Sequence, residues 1–215
     1  MAKAETVSSS ANPLVKEVRR AIARGSATSD GLIIAETFHL LEEALRSDLE
    51  VRTVIAAARV RSAVETHIQG LRRVRLVVVP DGLFQHLGGT ETAQGVIALV
   101  RPPEWKLDQV FRGAPLVVVL DGVQDPGNAG AIVRAAEAFG ATGALFLKGS
   151  VSPFHSKSIR ASAGSLFRLP FLAGLDAELA HAAIRQRKLR VYAADPRGVV
   201  PLARADLRAA VRVDV

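Results

Sequence analysis

Residues 116–140 run from an apolar stretch, Leu116 to Leu120, through Asp-Gly-Val-Gln-Asp-Pro-Gly-Asn-Ala-Gly into a helical pattern that closes at Gly140. The apolar run reads as a buried strand and the pattern after it as a helix, so the chain is built around a strand–turn–helix unit. Gly122, Gly127 and Gly130, with Pro126, make the turn tight. Such a turn lets the backbone approach a ligand, and the helix behind it offers unpaired N–H groups. Ile132, Val133, Ala136 and Phe139 are expected on the sheet-facing side of the helix. Arg134 then projects roughly opposite. A guanidinium near a helix start opposes the helix dipole, so Arg134 is expected to serve something outside the helix, such as a phosphate.

This stretch closely resembles motif 1 of the SpoU–TrmH branch of the SPOUT RNA methyltransferases. Asp121, Gly122, Val123, Asp125, Pro126, Asn128, Gly130, Arg134 and Gly140 carry the resemblance, in order. It implies transfer of a methyl group from S-adenosylmethionine to a ribose 2′-hydroxyl of rRNA or tRNA, without a metal, with Arg134 as the central catalytic residue. A 2′-hydroxyl is a weak nucleophile. Its methylation needs a positioned sugar, an in-line methyl donor and help in losing the proton. Asn128 can orient the ribose or a neighbouring group through its amide. Arg134 can clamp the adjacent phosphate and stabilise developing charge. A guanidinium keeps its proton up to a pKa above ~12, which favours the electrostatic role over that of a general base. The alternative is that Arg134 braces the loop through Asp121 or Asp125.

The charge balance agrees. A net charge of +7 and a pI near 10.5 point to a polyanionic partner. Residues 1–110 hold 14 basic and 13 acidic residues, and residues 111–215 hold 14 and 8, so most of the surplus lies in the second half. The absence of cysteine excludes disulfides and thiolate chemistry, and five scattered histidines argue against structural zinc. No stretch reaches the ~18 apolar residues of a membrane span. Met1 to Ala11 lacks the layout of a signal peptide, so a cytoplasmic protein without membrane contact is expected.

Residues 1–11 read as a flexible tail. Asn12-Pro13 starts a helix that presents Leu14, Val18 and Ile22 inward, with Lys16, Arg19, Arg20 and Arg24 elsewhere and Gly25 as its stop. Those cations are either a solvated face or an RNA-backbone contact, with Lys16, Arg19 and Arg20 the candidates. Strands are expected at 32–35, 51–57, 75–79 and 95–100, with helices at 37–47, 63–69 and 84–87, which makes a small α/β sandwich. The family resemblance extends here, through Asn12 to Lys16, Ile34 to Leu45 and Thr90 to Gly95, and implies a ribosomal-protein-like α/β/α RNA substrate-binding domain over residues 12–100. Glu36-Thr37 departs from the family's common Glu-Gly at that turn.

The stiff Arg101-Pro102-Pro103-Glu104-Trp105 segment opens a linker over 101–112, with Trp105 packed at the junction. The second domain, 113–215, alternates strand and helix and is expected to form a parallel sheet. Its loop 148–167 is serine-rich and carries Lys157 and Arg160, with Arg168 just beyond. Residues 152–170 resemble a family run implicated on the RNA side. Lys157, Arg160, Ser162 and Gly164 are its RNA-binding candidates, although capping or loop packing accounts equally for Ser162 and Gly164.

The family also has two later motifs, which form its deep knot, most of the cofactor pocket and much of a homodimer interface. Neither is found before Val215. The expectation is therefore a SPOUT (α/β knot) domain with its knot region truncated, a half-built sheet with an apolar edge, and poor or no S-adenosylmethionine binding. Ala193, Ala194 and Asp195 are the candidate remnant of the cofactor-side wall. An RNA-binding protein that has lost catalysis is the alternative. A nucleotide-phosphate cradle fits poorly, since the Gly-Lys-Ser/Thr ending is absent.

Overall fold

A computed structural model describes residues 4–71, 73–88, 94–194, 198, 200–201, 204 and 211–214. Two five-stranded sheets organise them. The first half contains β1 (Glu5–Thr6), α1 (Pro13–Arg24), β2 (Ile33–Ala35), α2 (Phe38–Arg46), β3 (Val51–Ala57), α3 (Arg61–His67), β4 (Arg75–Val79), α4 (Asp81–Gln85) and β5 (Val96–Val100). Its strand order is β1-β4-β3-β5-β2, with β1 and β3 parallel to β4, and β5 antiparallel to β2 and β3. Strand alternation decides which face each residue serves. Val54, Ala56, Leu76, Val78 and Ala98 enter a core shared with α2 and α3, whereas Ile55, Ala57, Val77, Val79, Ile97 and Leu99 pack against α1 and α4.

Helix α1 is fixed at both ends. The Asn12 side chain accepts the Leu14 N–H at 2.9 Å, and Pro13 occupies the first turn. Gly25 closes the helix in the left-handed region, at φ 60°, where its N–H meets the last carbonyls. Val15, Val18 and Ala21 are buried, with Leu14 and Ile22 beside them.

The second half contains α5 (Leu107–Val110), β6 (Val117–Leu120), α6 (Pro126–Ala138), β7 (Gly143–Leu147), α7 (Ser156–Ala161), α8 (Ser165–Arg168), β8 (Phe171–Leu175), α9 (Ala177–Gln186), β9 (Arg190–Ala193) and β10 (Val211–Asp214). All pairs are parallel, in the order β8-β7-β6-β10-β9. Val117, Val119, Leu145 and Leu147 face α5 and α9, while Leu120, Ala144 and Phe146 face α6, α7 and α8. That second face continues into the core of the first half, so one apolar cluster joins the two sheets' helices.

Several expectations are corrected. The tail of residues 1–11 is partly a strand: β1 pairs with β4, Val7 is buried, and its N–H donates to Val78 at 2.9 Å. The linker 101–112 contains α5, and Val110 and Phe111 are buried against α9. Trp105 packs against the shared cluster, as the junction reading expected. The half-built sheet is replaced by one in which β10 sits between β6 and β9, leaving β6 paired on both sides. Phe139 does not face the sheet; it caps α6 and is 84% exposed.

Candidate functional site

The connections of the second sheet fix where a ligand can sit. From β6 the chain steps outward through α6 to β7 and through α7 and α8 to β8. It then crosses by α9 to the far side, to β9. The direction reverses between β6 and β10, and in such sheets the crevice beyond the strands' C-terminal ends at that point is the binding position. The loop 121–125 occupies it.

That loop is held from below. Ser150 Oγ donates to the Leu120 carbonyl at 2.9 Å, and the Val151 N–H to the Val123 carbonyl at 2.8 Å. Asp125 caps α6 by accepting the Asn128 N–H at 2.8 Å. This backbone bond is the main reason that its carboxyl lies below the usual range; slight burial opposes it and Lys157 adds to it. Lys157 Nζ stands 3.5 Å from the other Asp125 oxygen. The Asn128 side chain is left exposed.

Arg134 is exposed on α6, and its guanidinium has no hydrogen bond or ion pair among the described residues. The bracing contact to Asp121 or Asp125 is absent among them, since Lys157 is the cation at Asp125. The neighbouring face of α6 is crossed by α7 at Gly130. A Cβ there would lie 2.3 Å from the Ser158 carbonyl and 2.7 Å from Ala161 Cβ, so only glycine permits this approach. The crossing places Lys157 above the start of α6, where a Cβ on Gly127 would come 3.5 Å from Lys157 Cε.

The other candidates fall into three groups. Lys16, Arg19 and Arg20 are exposed along one edge of α1 and line a shallow groove with Ala23, and Arg20 also meets Glu17 at 3.1 Å. Arg160 is partly buried and paired with Glu36, whose side chain is only 5% exposed. Ser162 and Gly164 are corrected: both are buried and present no surface to RNA. Ser162 Oγ donates to the Ile159 carbonyl at 2.8 Å, and Gly164 packs on the Glu43 side chain. Ala193 and Ala194 are exposed at the end of β9, whereas Asp195 and Thr90 to Ala93 lie outside the described residues.

Sequence reasoning missed how the halves are joined. Arg168 pairs with Glu43 on α2 and, at 2.8 and 2.9 Å, with Glu137 on α6. Burial pushes the Glu137 carboxyl up, but hydrogen bonds from Arg168 and Ser165, with the Arg168 charge, leave it lowered. Those bonds to Glu137 in turn raise Arg168. His155 caps α7 by accepting the Lys157 N–H at 3.1 Å, and its ring lies against Gly25 at the end of α1. The one available signal was Glu36 and Glu43 standing among apolar residues of β2 and α2.

Residues 115–212 match the SpoU rRNA methylase family model, and residues 12–98 the MRM3-like substrate-binding domain. A 23S rRNA (guanosine(2553)-2′-O)-methyltransferase of Bacillus subtilis is 31% identical over 166 residues, which are 76% of this chain and 63% of that protein. Other curated relatives are matched over as little as 33% of their length. A solved RNA 2′-O ribose methyltransferase superposes with a TM-score of 0.81 at 28% identity, covering 98% of this chain and 81% of that one. An AdoMet-bound rRNA methyltransferase from Sinorhizobium meliloti gives 0.80 at 25% identity, covering 98% and 80%. No helix among the described residues is long and apolar enough to cross a membrane.

Proposed function

This chain is a member of the SpoU rRNA methylase family, and from that premise we propose that it methylates a ribose 2′-hydroxyl of rRNA or tRNA with S-adenosylmethionine. Residues 12–100 form the RNA-recognition domain in this reading, and residues 113–215 the methyltransferase domain. The observation that carries it is Arg134: an exposed guanidinium without an internal partner among the described residues, standing behind a capped loop at the sheet's switch point. A solvent-facing cation so placed is free to take a phosphate by two parallel N–H···O bonds.

When bound, S-adenosylmethionine supplies an electrophilic methyl on a sulfonium. Ala193, which closes β9, and Ala194, with Asp195 next in the sequence, would hold it. The exposed, methyl-bearing backbone of Ala193 and Ala194 fits a flat aromatic ring with edges that need N–H and C=O partners. Asn128 orients the ribose through its amide. Arg134 grips the adjoining phosphate, and its charge lowers the cost of the oxyanion that forms as the 2′-hydroxyl loses its proton to water. Lys157, Lys16, Arg19 and Arg20 hold the flanking backbone without reading sequence. Arg160 supports that surface through its pair with Glu36. The reading includes a cytoplasmic homodimer, testable by light scattering.

The experiment is transfer of labelled methyl from S-adenosylmethionine to ribosomal RNA, followed by alkaline hydrolysis. A 2′-O-methyl blocks cleavage, so label in alkali-resistant dinucleotides supports the reading. Label confined to mononucleotides assigns the methyl to a base and overturns it.

A further inference from the structure

The basic edge of α1 and the loop before α6 lie in different halves of the chain, and the start of α7 links them. A Cβ on Gly25 would lie 2.1 Å from His155 Cδ2, so the ring rests directly on the end of α1. His155 accepts the Lys157 N–H, and Lys157 reaches Asp125, the cap of α6. Arg24 precedes Gly25 in the chain and is exposed. From Arg24, the cations Arg20, Arg19 and Lys16 recede along α1 over about 12 Å, at 1.5 Å per residue. Lys16, Arg19 and Arg24 have no ion pair within 4 Å among the described residues. The joint is positively charged on both sides. Burial first, then Lys157 and Arg160, hold the His155 imidazole below its ordinary pKa, against the opposing pull of Glu36 and Asp125.

We propose that the Gly25–His155 contact joins the α1 edge and the motif loop into one phosphate-binding track, occupied by the RNA strand that flanks the target ribose. The strand passes from Asn128 and Arg134 over Lys157, across the joint, and onto Arg24, Arg20, Arg19 and Lys16. This rests on the RNA-methyltransferase reading and adds the path and the part that keeps it in register. Two groups of cations tethered rigidly act on one strand as a bivalent site, and loosening the tether lowers their effective concentration without removing a charge.

The test is fluorescence anisotropy with a labelled 30-nucleotide single-stranded RNA and the 215-residue chain, across a salt series. Each phosphate contact contributes about −0.7 to the log–log salt slope on a single strand. Arg19→Glu with Arg24→Glu is expected to weaken binding at least tenfold and to flatten the slope by about 1.4. Gly25→Ala forces the joint open and is expected to weaken binding several-fold with an unchanged slope. Adding His155→Ala removes the obstructing ring and recovers part of that loss. Circular dichroism confirms that each variant is folded. If Arg134→Glu and Lys157→Glu weaken binding while the α1 double variant does not, the track is wrong and the methyltransferase reading stands. If Gly25→Ala binds like wild type, the joint has no role in register, which also overturns the proposal. If the folded wild type binds no RNA, the underlying reading fails with it.

Discussion

Gly130→Ala separates close helix packing from helix propensity. In a helix interior, replacing glycine by alanine normally stabilises by about 0.5–1 kcal/mol. At Gly130 the added methyl would sit 2.3 Å from the Ser158 carbonyl and 2.9 Å from the Ser162 N. Both are backbone atoms, so α7 must retreat by roughly an ångström, and overpacking of this kind costs about 1–3 kcal/mol. The net expectation is about 1–2 kcal/mol of destabilisation. For a chain of this size each kcal/mol moves the melting temperature by about 2–4 °C, so a fall near 4 °C is expected. The control is Gly82→Ala in α4, where the methyl meets nothing within 4 Å and backbone φ is not positive. That variant is expected to hold or slightly raise the melting temperature. Thermal denaturation followed by circular dichroism reads both. A Gly130→Ala protein as stable as wild type would refute the claim that α6 and α7 touch backbone to backbone.

Further outcomes follow from the groups that bind the halves together. Glu36→Ala leaves the partly buried Arg160 without its partner; a loss of about 3 kcal/mol in urea denaturation is expected, and a change below half that means the pair is not a structural tie. Asp125→Ala removes the cap of α6 and costs about 1 kcal/mol, whereas Asp125→Asn keeps the accepting oxygen and costs little; equal losses would show that charge, not capping, matters. His155 titrates below its ordinary 6.5 because of burial and nearby cations. Below that value the unfolded chain takes up a proton that the folded chain refuses, so stability is full above pH 6.5 and declines as pH falls toward the folded value. His155→Asn removes this component, and parallel wild-type and variant curves between pH 7 and 5 would contradict it.

The extent to which the sequence disclosed this fold depended on the range of the interactions. The bounds of β3 and β4 match their apolar runs, because burial on both faces leaves continuous hydrophobic stretches. The Asn12-Pro13 and Gly25 ends of α1 were legible, since capping is local chemistry. Strand β1 was hidden because Glu5-Thr6 is a two-residue, exposed edge with no apolar signature. Phe139 was placed inward by extending the helical period one residue too far; the helix ends at Ala138, and on the wheel Phe139 lies about 120° from Val133. Ser162 and Gly164 matched an RNA-side run, yet they serve the turn between α7 and α8. The ties that matter most to the site, Glu36 to Arg160 and Glu43 to Arg168, span more than 120 residues, and no local pattern pairs such charges.

The most direct test of the central claim is single-turnover methyl transfer to RNA by wild type, Arg134→Lys and Arg134→Ala at saturating S-adenosylmethionine. A bidentate phosphate clamp that also stabilises the developing oxyanion predicts a loss of about 10²–10³-fold in the transfer rate for Arg134→Ala. It also predicts only partial recovery with lysine, which keeps the charge but not the fork. Arg134→Ala turning over within a few-fold of wild type would contradict the account.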